Sequence, residues 1–150
     1  MRAIVQRVIS SEVVINEKER RFIGNGLLIF VGIEENDGKE DIDWLCGKIV
    51  RMRIFDDEHQ IMNLSVKDIH GEIMVISQFT LNASTKKGNR PSYIKAAKAE
   101  ISEPMYELFL KQLAYELGKV VVSGEFGAYM KITLVNNGPV TIFIDSKNKE

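Results

Sequence analysis

The stretch Asn136-Asn137-Gly138-Pro139-Val140-Thr141 limits most sharply how this chain can fold. It separates two apolar, β-branched runs, residues 132–135 and 140–144, which read as strands because such side chains pack well on a pleated surface. Proline has no amide N–H for a sheet ladder, so Pro139 belongs at a turn or at the first residue of a strand. Gly138 removes the Cβ that restricts a residue before proline. The Gly-Pro amide is also the one bond here where cis costs only about 0.5–1 kcal/mol over trans. These residues fit an ordinary hairpin turn. They also fit a rigid turn that presents backbone carbonyls in a fixed direction.

The rest of the chain supplies strands and two helices around that turn. Residues 3–9 and 12–15 are rich in Val and Ile and break near Ser10-Ser11, predicting two adjacent strands. Residues 27–31 are apolar at every position, as expected of a strand buried on both faces. From Asp41 to Phe55 the period changes to that of a helix, with Ile42, Leu45, Cys46, Ile49, Val50 and Ile54 on one stripe. Cys46 on that stripe reads as a small core residue, and Trp44 as packing at an edge or interface. Asp56-Asp57-Glu58-His59 has the residue types of a metal cluster without a helical pair of ligands, and reads as a solvated turn. His59 and His70 have no evident partners and receive no catalytic role.

A further strand is predicted over 72–80. Ser102-Glu103-Pro104 is expected to start the second helix, since proline suits a first turn. Its apolar face would be Met105, Leu108, Phe109, Leu110, Leu113 and Leu117, with Gly118 as C-cap. A short strand at 120–122 leads to a glycine-bearing loop, and residues 146–150 are expected to fray. The fold class is therefore mixed α/β. About seven strands form mostly antiparallel sheets, and two main helices cover one side.

Composition bounds the function. The 150 residues, 45% of them apolar, fit a single domain spanning 1–150 with a proper core. A net charge of −1 gives no global field toward nucleic acid or membrane, so any RNA contact must come from a local patch. One cysteine excludes an internal disulfide and a cysteine-rich metal site, and suits a reducing cytoplasm. The first residues have no apolar core of a signal peptide, and no run approaches the ~20 apolar residues of a membrane span.

Two stretches carry chemistry. The strand at 72–80 is apolar in its first half and becomes polar abruptly at Ser77-Gln78, which places polar groups on a rigid element where sites usually lie. Ser77, Gln78 and Thr80 offer hydroxyls and an amide but no strong base. No histidine lies nearby in sequence to activate either hydroxyl. Directly afterwards, Lys86, Lys87, Arg90, Lys95 and Lys98 give five positive charges with no acid before Glu100. Such a run is a solvated face or a phosphate-binding patch.

Together, Ser77-Gln78-Phe79-Thr80-Leu81 and Asn136-Asn137-Gly138-Pro139-Val140-Thr141 resemble the motif pair of D-aminoacyl-tRNA deacylases. The likeness runs from Met1-Arg2-Ala3-Ile4-Val5-Gln6-Arg7-Val8 through Lys87-Gly88-Asn89-Arg90-Pro91-Ser92 and Phe126-Gly127-Ala128-Tyr129-Met130 to Asp145-Ser146. It implies hydrolysis of the ester joining a D-amino acid, or glycine, to the 3′-terminal adenosine of tRNA, without cofactor or metal. It also implies a homodimer with sites at the subunit interface, and a cis Gly138-Pro139 bond reaching the partner's pocket. There the Gly138 and Pro139 carbonyls would exclude an L side chain, with Ser77 orienting substrate.

The resemblance assigns Phe126 and Met130 to the terminal adenosine and Lys86, Lys87 and Arg90 to acceptor-stem phosphates. Thr80 matches a residue considered as nucleophile. The other family mechanism is RNA-assisted, with the terminal 2′-hydroxyl helping, amides near Phe79 and Thr80 stabilising the oxyanion, and Gln78 orienting the strand end. The absence of an evident base favours the second. Many members carry Asp where this chain has Asn137, a change that keeps size and removes charge. Two readings from other classes are a non-catalytic tRNA-binding module and a Ser/Thr esterase, the latter without a visible triad or nucleophile elbow.

Overall fold

The computed structural model describes residues 1–149, with eight strands and two α-helices. Strand β1 (Arg2–Ile15) is the spine. On one side its second half pairs antiparallel with β2 (Glu19–Ile23) and its first half with β3 (Gly26–Gly32), so β2 and β3 lie end to end along it. On the other side it pairs antiparallel along its length with β8 (Met130–Asp145). β3 continues the sheet through parallel pairing to β6 (Glu72–Ser77), and β6 pairs parallel with β7 (Val122–Ser123). β4 (Phe55–Asp56) and β5 (Met62–Leu64) make a separate antiparallel ribbon.

Strand periodicity sorts the side chains into two cores. Ala3, Val5, Leu27, Ile29, Val31, Ile73 and Val75 face the two helices, α1 (Lys39–Arg51) and α2 (Ala99–Leu117). Leu28, Met74 and Ile76 point to the opposite face and pack with Val8, Val13 and Ile15. The helices bring Ile42, Leu45, Cys46, Ile49, Phe109 and Leu113 to the first core. Truncating a ring as fully buried as Phe109 would cost about 3–5 kcal/mol. Cys46 is a core residue as expected: burial pushes its thiol up, and the Sγ lies 3.6 Å from the Phe109 carbonyl.

Several boundaries differ from expectation. The break near Ser10-Ser11 is not a loop, because β1 runs through it. The register with β8 slips between Gln6 and Val8 and again between Val8 and Ser10. This irregularity lets Ala3 and Val5 face one core, and Val13 and Ile15 the other. The stretch around Gly138-Pro139 is likewise no hairpin turn, since residues on both sides pair with β1 as one strand.

α2 begins at Ala99, ahead of Pro104, which therefore lies inside the helix. Its buried face includes Tyr106 in place of Leu108, which is 51% exposed. The Tyr106 hydroxyl donates to the Val75 carbonyl, satisfying its polar end in the core. Gly118 closes α2 in the left-handed conformation (φ 81°), as a C-cap glycine should. α1 stops at Arg51, β6 stops at Ser77 before a 3₁₀ turn (Phe79–Asn82), and β7 begins at Val122.

The C-terminal segment is held, not frayed. Ser146 is buried, its Oγ donates to Asp41 (2.6 Å), and the Lys147 ammonium donates to Asp41 (2.7 Å) and to the Asn36 carbonyl. Lys149 lies 4.9 Å from the ring centre of Trp44. Glu150, part of the same expectation, lies outside the described residues.

Candidate active site

β6 delivers the polar strand end. It is flanked by β3 and β7, and the Gln78 amide still donates to the Val31 carbonyl (2.7 Å), so the backbone is fixed up to the point where the strand stops. The chain then tightens into the 3₁₀ turn. The Leu81 amide bonds the Gln78 carbonyl, and the Ala83 amide bonds the Thr80 carbonyl. The first amides of such a turn, those of Phe79 and Thr80, have no acceptor within the turn itself. Arg2 braces the far side by donating to the Leu81 carbonyl (3.2 Å) and to Asp145 (3.0 Å).

Ser77, Gln78 and Phe79 open onto a cavity of about 470 Å³. It is also lined by Phe126 and Met130, with Gly127, Ala128 and Tyr129 between them in sequence. Phe126 is steadied by the Tyr106 ring, at 5.9 Å between centres. Thus five residues singled out from sequence, on two stretches about fifty positions apart, meet on one cavity. The start of α2 was not anticipated. Ala97, Ala99 and Ser102 complete the wall, and Ser102 Oγ bonds the Lys98 carbonyl (3.0 Å). Small residues there leave room, a signal too weak to find in sequence without the helix boundary.

Thr80 does not line this cavity. Its Oγ accepts a hydrogen bond from Gln78 Nε2 at 2.6 Å, and no base bonds the hydroxyl among the described residues. His59 is exposed beside Glu58, and His70 is held through its backbone, its amide donating to the Lys67 carbonyl and its carbonyl accepting from Lys119. Asp57 caps its own turn through the His59 and Ile61 amides.

Gly138 and Pro139 lie elsewhere. Between the pairs Gln6–Thr141 and Val8–Asn136, β1 advances two residues while β8 advances five, so the extra residues of β8 bulge outward with Gly138 and Pro139 exposed. The bond between them is cis. Arg7, 6% exposed, pins the bulge from below. Its Nε donates to the Asn137 carbonyl (3.0 Å) and its Nη1 to the Ile54 carbonyl (2.6 Å). Asn136 Nδ2 bridges the bulge's base, donating to the Arg7 and Val140 carbonyls. Asn137 enters through its backbone, so exchanging its side chain with Asp leaves these contacts intact. Neither Gly138 nor Pro139 lines the cavity.

Lys86, Lys87 and Arg90 sit on an exposed loop whose base is closed by Ser84 and Ser92, which exchange both backbone hydrogen bonds (2.8 and 2.9 Å).

A family model described as D-Tyr-tRNA(Tyr) deacylase matches residues 4–145. The chain belongs to the D-Tyr-tRNA(Tyr) deacylase family. Within this family of hydrolases, a protein of Bacteroides thetaiotaomicron named D-aminoacyl-tRNA deacylase is 63% identical over the whole of both chains. A protein of the same name from Flavobacterium psychrophilum is 61% identical, again over the full length of both. Among solved structures, the c-Myc DNA Unwinding Element Binding Protein superposes with a TM-score of 0.91 at 36% identity, covering 97% of this chain and 98% of its own. A probable eukaryotic D-amino acid tRNA deacylase shares the fold at a TM-score of 0.81 and 15% identity, covering 95% of this chain and 97% of its own. The deacylase family thus shares the mixed sheet and paired helices described above.

Proposed function

We propose that this protein hydrolyses the ester between a D-amino acid, or glycine, and the 3′-terminal adenosine of tRNA, sparing L-aminoacyl-tRNA. The observation that carries the reading is the meeting of Ser77, Gln78 and Phe79 with Phe126 and Met130 on one cavity. Apolar and aromatic walls suit an adenine face, and the strand end offers polar groups to the ester beside it.

In this reading water attacks the ester carbonyl with help from the neighbouring 2′-hydroxyl of the terminal ribose. The developing oxyanion takes hydrogen bonds from the Phe79 and Thr80 amides, and the bond to the ribose 3′-oxygen breaks, releasing the amino acid and tRNA. The Gln78–Thr80 hydrogen bond supports this mechanism over a threonine nucleophile, because a hydroxyl oxygen accepting a proton donor is a poorer nucleophile.

The bulge supplies selectivity across an interface. Ile132 lines the cavity and the bulge begins at Asn136, four residues further along the same strand, ~13 Å at about 3.3 Å per residue. That separation favours a bulge serving the cavity of a second copy. There the Gly138 and Pro139 carbonyls would stand where an L side chain must go, a steric rejection that needs a rigid backbone. Lys86, Lys87 and Arg90 would meet phosphates of the acceptor stem.

The test is deacylation of matched D- and L-tyrosyl-tRNA by the purified protein. Fast loss of the D-ester with the L-ester spared is expected. A second reading, a nucleic-acid-binding module without catalysis, draws on the similarity to the c-Myc DNA Unwinding Element Binding Protein. Binding of D-tyrosyl-tRNA without turnover would favour it.

A further inference from the structure

Phe79 and Tyr93 are two large aromatic residues left in the open at the mouth of the cavity, 57% and 39% exposed. Their rings meet edge to face, 5.1 Å between centres and 73° between planes. This arrangement leaves flat aromatic surface uncovered. Phe79 itself lines the cavity, so the pair begins where the cavity ends.

The position of Tyr93 is fixed by its neighbours. Ser92, just before it, is paired to Ser84, and the Tyr93 carbonyl accepts from the Ala96 amide (2.9 Å). The next residue, Ala97, is tied to the Ile33 carbonyl (3.0 Å). On the far side of the Ser84–Ser92 pair come Lys86, Lys87 and Arg90, none with an ion-pair partner among the described residues. Moving outward, the order is cavity, exposed aromatic step, then cations without ion-pair partners among the described residues. A single-stranded nucleic acid end has the matching order: a terminal base, the next base, and the phosphates that follow.

We propose that Phe79 and Tyr93 form a stacking step for the penultimate nucleobase of the RNA 3′ end, with Tyr93 as a binding residue for the RNA and no part in the ester chemistry. The inference rests on the function proposed above, in which the terminal adenosine fills the cavity. Stacking on a π-face tolerates any base, so the step would hold the strand without reading its sequence.

The test compares two substrates, D-tyrosyl-tRNA and D-tyrosyl-adenosine, the second of which has no penultimate base. Tyr93→Ala should raise KM for the tRNA roughly five- to a hundredfold, the range for losing one stacked base. KM for D-tyrosyl-adenosine and kcat for both should stay unchanged, and Tyr93→Phe should preserve the wild-type values. Equal losses on both substrates would show a merely structural ring and overturn the proposal, as would no loss on either. If the wild type hydrolyses neither substrate, the proposed activity fails, and the step is then read from tRNA binding alone. Equal affinity of the wild type and Tyr93→Ala for tRNA would overturn it there.

Discussion

At Thr80 two chemistries compete, and the hydroxyl's surroundings decide between them. A nucleophile needs a base at its proton, whereas Thr80 Oγ is occupied by the Gln78 amide and Thr80 is not among the residues lining the cavity. Thr80→Ala should therefore lose about tenfold or less in kcat/KM for D-tyrosyl-tRNA, the scale of one neutral hydrogen bond. Loss on the order of 10⁴-fold, with substrate binding intact, would restore the nucleophile. Asp41 makes a different use of hydrogen bonds. Burial alone would raise its carboxyl, but donors from Lys147, Ser146 and the Gly38 amide outweigh that and hold it at about 2. A depressed carboxyl stabilises the fold above its ordinary value near 3.8, and that contribution disappears as pH falls through 2. Acid unfolding followed by circular dichroism should show Asp41→Asn less stable than wild type at pH 7. It should also show a flatter response for the variant between about pH 4 and 2. Parallel curves would refute the assignment.

At the level of elements, the polar strand end was legible because Ser77 and Gln78 follow a short unbroken apolar run, and the change from apolar to polar marks where burial ends. The stripe of α1 was legible from its helical spacing, with Ile42, Leu45, Cys46, Ile49 and Val50 buried as expected. Pro104 misled: it reads as a first-turn signal, yet the start of α2 is set by the docking of the preceding chain on Ile33, a contact invisible in sequence. The bulge misled more deeply. A Gly-Pro between β-branched runs looks like a turn, and only pairing to β1 on both sides reveals one strand carrying an excursion. Arg7, which fixes that excursion, lies some 130 residues away and gave no signal as a partner. Gly138 at φ 131° occupies a region L side chains rarely adopt. An added Cβ would also stand 2.9 Å from Arg7 Nη2 and from Val140 Cγ2. Gly138→Ala should thus cost about 1–3 kcal/mol of stability in thermal unfolding. If the bulge is the selectivity wall, it should also narrow the D-over-L preference.

For the molecule as a whole, the geometry poses a question that one chain does not answer by itself: what the exposed bulge is for. β8 pairs on one side with β1, and the bulge begins ~13 Å along this strand from the cavity residue Ile132. A long strand with an open edge invites pairing with another chain, and in a two-fold assembly the same patch serves both copies. Each cavity would then be completed by its partner's bulge, which makes a mixing experiment decisive. One variant, Gln78→Ala, keeps the bulge and spoils the strand end. The other, Gly138→Ala with Pro139→Ala, keeps the strand end and spoils the bulge. Neither alone should hydrolyse D-tyrosyl-tRNA with wild-type selectivity. After joint unfolding and refolding, random pairing gives half mixed dimers, each holding one intact composite site, so D-selective activity should return to about a quarter of the wild-type level. If cavity and bulge instead worked within one chain, no mixed assembly would contain an intact set, and mixing would restore nothing.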